Sequence, residues 1–199
     1  MAEKPILFST EMVKAIMDNR KTQTRRVVKP QPELFYTIGK QRDIVNSDQI
    51  VFKAMVKGGS DKLIIPPCQP GDILWVRETW YYESHMYDES EGDALYRYVY
   101  KANQHNYPVN VGVGEHGWKP SIHMPREAAR LFLQVKNVRV ERLQDITEED
   151  AIAEGIVPYD TYTAKRLFMN LWNALNSKRG LIWASSPWVW VIEFERVTS

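Results

Sequence analysis

The residues best placed for chemistry lie in one short run, Arg20-Lys21-Thr22-Gln23-Thr24-Arg25-Arg26. A helix dipole accounts for cations at a helix end, and so for Arg20 and Lys21. It does not account for Thr22, Thr24 and Arg26, which alternate and so share one face of the following strand. Two hydroxyls and a guanidinium do not make a core face. They suit a polar or anionic ligand. The run sits in a wider basic stretch: residues 14–29 hold six bases and one acid, Asp18. Residues 145–154 hold five acids and no base. Either these are two solvated faces that cancel, or the two segments meet across one site.

Other chemistries find less support. The histidines at 85, 105, 116 and 123 and the lone Cys68 lack the spacing of metal ligands, so no metal and no cofactor are expected. There is no phosphate-binding glycine loop, and Val111-Gly112-Val113-Gly114 is too short to be one. No G-x-S-x-G elbow occurs. Trp80 follows Arg77 and Glu78 at the end of a strong strand pattern, where a base can stack on it; core packing is the competing role. His123, beside Pro125 and Arg126, is a candidate for the same mouth. Arg77, Glu78, Trp80 and His123 therefore join Thr22 and Arg26 as candidate substrate-binding residues.

These groups need a scaffold. The chain has 199 residues, which fits one domain. Its 26 Lys and Arg against 25 Asp and Glu exclude a protein that is basic throughout. One cysteine excludes an internal disulfide framework. No signal peptide or membrane-spanning run is visible, so a cytoplasmic protein is expected. The pattern predicts a strand at Pro5–Phe8, a helix from Thr10 to about Asn19, and a strand over Thr22–Val28. Residues 31–70 read as the least regular part. Strands are predicted at Ile73–Trp80, around Tyr96–Tyr100, and from Leu131 to Val140. The last changes parity at Lys136-Asn137, the mark of a bulge. Thr147-Glu148-Glu149-Asp150 predicts a capping box and a short helix stopped by Gly155. A longer helix from about Asp160 and a strand over Trp188–Val197 complete an α+β domain of about five or six strands and three helices.

Several of these stretches resemble the ASCH domain, a PUA-like small β-barrel with helices packed on it. They are Asn19-Arg20-Lys21-Thr22-Gln23-Thr24-Arg25, the Gly71-Asp72 turn before a strand, and Ile146-Thr147-Glu148-Glu149-Asp150-Ala151-Ile152-Ala153-Glu154-Gly155. Lys119-Pro120-Ser121-Ile122-His123-Met124-Pro125-Arg126, with Trp75–Trp80, is similar to the longer ASCH-like proteins of phages and prophages. The resemblance implies a single ASCH-type domain over residues 1–199, with insertions at about 31–65 and 82–117. Asn19 stands where the family usually has Gly, and Asn also tolerates the left-handed conformation of a helix end.

One bacterial branch of that family removes the acetyl group from N(4)-acetylcytidine. The resemblance implies Lys21, Thr24 and Glu154 as the reactive set. Thr24 would supply a hydroxyl, with Lys21 as its base if neighbouring charge or burial lowers its pKa. Glu154 would orient Lys21, or activate a water and protonate the leaving amine. The expectation is a hydrolase acting on a modified nucleoside or nucleotide. The alternatives are a binding module for RNA or a modified base, a ribonuclease of the same superfamily, or an interaction protein without a pocket. The partner is then a nucleoside, a nucleotide or RNA, with no membrane involved.

Overall fold

A computed structural model describes residues 1–40, 50–84, 96–106 and 117–197. Its centre is a five-stranded sheet. β1 (Glu3–Leu7) leads into helix α1 (Thr10–Met17) and then β2 (Gln23–Val27). β3 (Pro32–Lys40), β4 (Ile50–Val56) and β5 (Ser60–Ile64) follow, then β6 (Ile73–Arg77), β7 (Trp80–Ser84) and β8 (Tyr96–Tyr100). β9 (Phe132–Arg142), α2 (Glu148–Ala153), α3 (Ala164–Asn176) and β10 (Trp188–Val197) complete the chain. The main sheet runs β1-β6-β9-β10-β2, with β1 parallel to β6 and the other pairs antiparallel.

β10 is buried on both faces, which explains its nearly continuous apolar sequence. Trp190, Ile192 and Phe194 enter one core with Val13 and Ile16 of α1 and Leu74 and Val76 of β6. Val189 and Val191 enter the other with Phe168 and Trp172 of α3 and Leu143. The sheet thus has α1 on one side and α2 and α3 on the other. The parity change in β9 is a bulge: Asn137 pairs with Glu193 and Val135 with Phe194, which leaves Lys136 as the extra residue. Side chains then switch faces so that Val135 and Val138 are both buried.

Three sequence expectations change. The stretch expected to be least regular forms the antiparallel meander β3-β4-β5. Phe35 packs edge-on to Trp188 and Phe52 packs on Trp190, both at 4.9 Å between ring centroids. Phe52 and Ala54 are fully buried in the main core. The single strand expected over Ile73–Trp80 is two: β6 lies in the main sheet, whereas β7 pairs with β8. Between them the Glu78 N–H points to the Met124 sulfur instead of a neighbouring strand. The helix expected from Asp160 begins at Ala164, because Asp160 is left-handed (φ 52°) and Thr163 caps the Arg166 N–H.

The architecture is α+β, with ten strands among the described residues rather than five or six. No closed barrel forms among them: β1 and β2 are the free edges of the main sheet. The part of the 82–117 region beyond Ser84 is described only at residues 96–106 and 117. No helix among the described residues is long and apolar enough to cross a membrane.

Candidate active site

The end of α1 sets up the site. Asn19 takes the left-handed conformation at φ 57°, which Asn accepts more readily than most residues. The N–H groups of Arg20 and Lys21 both return to the carbonyl of Ala15, at 2.8 and 3.0 Å. This turn lays Lys21 against the end of α2, where it forms an isolated bridge with Glu154. The Thr22 N–H adds a bond of 2.9 Å to the Ala153 carbonyl. α2 is held by a reciprocal capping box between Thr147 and Asp150. Gly155 ends it at φ 91°, so close that a Cβ there would stand 2.9 Å from the Ala15 Cβ and 3.1 Å from that of Lys21. Glycine is what lets the two segments approach.

The basic and acidic segments meet there. Lys21 Nζ donates to Glu154 Oε2 and to the Glu154 carbonyl, both at 2.8 Å. Their side chains are 0% and 3% exposed. The second carboxylate oxygen, Oε1, accepts from Arg25 Nη1 at 3.3 Å. Arg25 Nη2 also reaches Asp150 Oδ2 at 2.8 Å and Glu141 Oε1 at 2.5 Å. Arg139 ties Glu141, Asp150 and Glu193 together on the outer side. Gln23 donates to both the carbonyl and the carboxylate of Asp150.

Electrostatics follow from this packing. Burial pushes the Lys21 ammonium down; Glu154 opposes it, Arg26 and Arg25 add to it, and the net pKa lies below the usual 10.5. Burial pushes the Asp150 carboxyl up, but Gln23, Arg25 and Arg139 together outweigh it and hold its pKa below the ordinary value. Phe8 lies under two of the cations, with Lys21 Nζ at 5.6 Å and the Arg26 guanidinium at 5.2 Å from its ring centre.

A cleft of about 560 Å³ opens beside this cluster. Thr24, Arg25, Arg26 and Glu154 line its polar side. The apolar stripe of α3, with Phe168, Leu171, Trp172 and Leu175, lines the other. A flat, largely apolar group between these walls would present its polar edge to Glu154 and Thr24.

Lys21, Thr24 and Glu154 are thus brought together. Thr24 and Glu154 border the cleft, and Lys21 stands behind Glu154. Arg26 also borders it, with Nη2 donating to the Leu7 carbonyl at 2.6 Å. Thr22 does not line the cleft; it is exposed and precedes the first residue of β2. Arg77, Glu78, Trp80 and His123 do not line this cleft. Arg77 binds the backbone carbonyls of Met124 and Ile122. Glu78 is held by Arg130 at 2.9 and 3.0 Å. Trp80 is buried with Met124 and Ala128 in a small separate core, and His123 is exposed.

Sequence reasoning overlooked Arg25 as the centre of the network, and with it Gln23, Glu141 and Arg139. No local signal marked Arg25, because the acids that claim it lie far along the chain. It also overlooked the α3 stripe as a cleft wall. Among the described residues no group of three His, Cys, Asp or Glu is arranged to hold a metal ion. No protein-family model matches the sequence, and neither the curated proteins nor the solved structures searched include a match.

A carboxylate with both oxygens fixed by buried cations, and with an edge on a cleft, is equipped to take and return a proton at a defined position. Thr24, which lines the same cleft, offers a hydroxyl or a hydrogen bond, and Arg26 offers a donor to an anionic group of a ligand.

Proposed function

We propose that this protein is a hydrolase acting on a modified nucleoside or nucleotide, cleaving the amide of an N-acylated cytidine on an ASCH-type, PUA-like scaffold. One observation carries the reading: Glu154 is fixed by Lys21 on one oxygen and by Arg25 on the other, while bordering a cleft with Thr24. Support for the scaffold comes from the motif's placement. Asn19 adopts the left-handed turn that Gly would favour, and the Lys21 and Glu154 segments meet.

In this reading the base lies against the α3 wall at Leu171 and Leu175, over the core rings of Phe168 and Trp172, with its acylated amine toward Glu154. Glu154 takes a proton from water, whose oxygen attacks the amide carbonyl carbon. The Thr24 hydroxyl stabilises the negative oxygen that forms. Glu154 then gives the proton to the leaving amine as the carbon–nitrogen bond breaks, releasing the carboxylic acid and cytidine. Lys21 and Arg25 hold the carboxylate in place. Of the two roles open to Glu154, water activation is favoured over orienting a basic Lys21, because Glu154 faces the cleft and Lys21 does not.

Incubation with N(4)-acetylcytidine, followed by chromatography of the released cytidine, tests this. The expected result is turnover in the wild type and its loss in Glu154→Gln. Absence of turnover, or full turnover in Glu154→Gln, overturns the reading.

A further inference from the structure

A second cleft, of about 420 Å³, adjoins the first. Its lining is mainly apolar, with Pro5, Ile6, Ile65, Pro67 and Trp190. The two clefts share Leu7, Arg26, Val27 and Lys29. These residues lie at the ends of β1 and β2, the two free edges of the main sheet, or just beyond β2. Arg26 bridges those edges through the Leu7 carbonyl, so its guanidinium is held where the clefts meet.

Charge at this junction is one-sided. The second cleft has no carboxylate in its lining, and the first has one, Glu154, which Lys21 and Arg25 already hold. The side chains of Lys29, at the junction, and of Arg179, which also lines the first cleft, make no hydrogen bond or ion pair among the described residues. A free nucleoside would leave these cations without a counter-charge. A phosphate oxygen fits them: the Arg26 fork can bind two oxygens, and Lys29 adds a point charge.

We propose that the substrate is phosphorylated, with a phosphate group seated on Arg26 and Lys29 between the two clefts. The proposal rests on the preceding reading only for the identity of the base. The acylated base occupies the larger cleft, and the smaller one holds whatever lies past the phosphate. In a single strand that is the neighbouring nucleotide; in a mononucleotide it is solvent.

Equilibrium binding of three unmodified probes decides the matter: cytidine, cytidine 5′-monophosphate and a single-stranded cytidine tetranucleotide. Wild type and Lys29→Gln are compared; Lys29 is an exposed side chain, and its replacement is expected to leave the fold intact, as surface substitutions usually do. The phosphorylated probes are expected to bind at least about tenfold more tightly than cytidine, and Lys29→Gln to shrink that ratio. If two phosphates are held, tetranucleotide affinity falls roughly sevenfold between about 50 and about 200 mM salt. Tighter binding of the tetranucleotide than of the monophosphate places the phosphate within a strand; equal binding places it at the end of a nucleotide. Equal affinity for all three probes, or an unchanged ratio in Lys29→Gln, overturns the proposal. Turnover of the matching acetylated compounds is measured separately. Hydrolysis without preference for phosphate overturns the phosphate seat alone. Phosphate-dependent binding without hydrolysis supports the seat and overturns the amidohydrolase reading.

Discussion

Two glutamates among the described residues are almost wholly buried and ion-paired, and they differ in what surrounds them. Glu78 is 1% exposed and binds one cation, Arg130, with both its oxygens. The Arg130 guanidinium is stacked 4.0 Å from the centre of the Tyr100 ring and touches the Met17 sulfur. Neither cleft reaches Glu78. Glu154 is 3% exposed, divides its oxygens between Lys21 and Arg25, and borders the larger cleft. A two-pronged pair sealed under aromatic and thioether groups is a clamp between segments. A carboxylate held by two cations yet open at one edge is held and still reachable. Burial and pairing alone therefore do not mark a reactive group; access does.

The sharpest way to break this contrast is to disable each carboxylate in turn. Glu154→Gln keeps the shape and removes the base, so kcat for acetylcytidine hydrolysis should fall about 10²–10⁴-fold. Gln keeps an acceptor oxygen but not the charge that Lys21 and Arg25 face, so Tm should also fall; kcat is read per folded molecule, with circular dichroism confirming the fold at the assay temperature. Glu78→Ala leaves Arg130 without its partner, which for a buried pair costs about 3–5 kcal/mol. Arg130 keeps a side-chain exposure of 24%, so the lower end applies. At 2–4 °C per kcal/mol for a chain of this size, Tm should drop roughly 6–12 °C. Activity per folded molecule should stay unchanged. If Glu78→Ala instead abolishes activity with Tm unaltered, the roles assigned to the two carboxylates are reversed.

The pH response separates two roles for Lys21. Its folded pKa lies below the usual 10.5, so between the folded and unfolded values the unfolded chain binds more protons, and stability rises with pH across that window. Activity should move the other way. Once Lys21 loses its proton it no longer holds Glu154 by charge, so kcat should decline with a midpoint below 10.5. Were Lys21 the base for Thr24, kcat would rise through the same window instead. A pH–rate profile beside a pH–Tm profile distinguishes the two.

Much of what positions Glu154 was legible in the sequence, because it is written in local rules. Asn19 at the end of a helical pattern, the Thr147–Asp150 capping box and the Gly155 stop each follow from backbone sterics within a few residues. The Lys136 bulge was visible as a change of parity. What escaped depends on long-range packing. Nothing local to residues 31–64 announces that Phe35 and Phe52 will meet Trp188 and Trp190. Arg25 was lost among neighbouring cations, and the acids that claim it, Glu141 and Asp150, lie 116 and 125 residues away. Glu78 and Trp80 looked like site residues because charge beside an aromatic reads alike in a clamp and in a pocket.

Gly155→Ala probes how closely the reactive carboxylate depends on its backbone. The added methyl would stand 2.9 Å from the Ala15 Cβ and 3.1 Å from the Lys21 Cβ, at a φ of 91° that L-residues rarely adopt. Backbone strain of this kind costs about 1–3 kcal/mol. The relief available is to push Lys21 and the end of α2 apart. Stability and kcat should therefore fall together, in contrast to Glu78→Ala, where stability falls alone. A Gly155→Ala protein that loses stability but keeps full kcat would show that Glu154 does not need Lys21 at its present distance.

Trp80→Phe should have the smallest effect, and it bears on the same contrast from the side of the clamp. Trp80 shares its small core with Met124, the residue whose sulfur lies over the Glu78 N–H. Its indole N–H is buried with no hydrogen-bond partner among the described residues. Replacing it with Phe gives up apolar area but also relieves an unpaired buried donor, which otherwise costs about 1–3 kcal/mol. The two effects oppose each other, so the net change in unfolding free energy should be less than about 1 kcal/mol. A stacking platform for a base would behave otherwise. Its removal in Trp80→Ala would cost about 1–3 kcal/mol of binding per base, raising KM about five- to 150-fold, whereas a core role leaves KM per folded molecule unchanged. Urea denaturation together with KM for the acylated substrate reads both quantities. A raised KM at unaltered stability would move Trp80 from the clamp to the site, and the boundary drawn between the two glutamates would have to move with it.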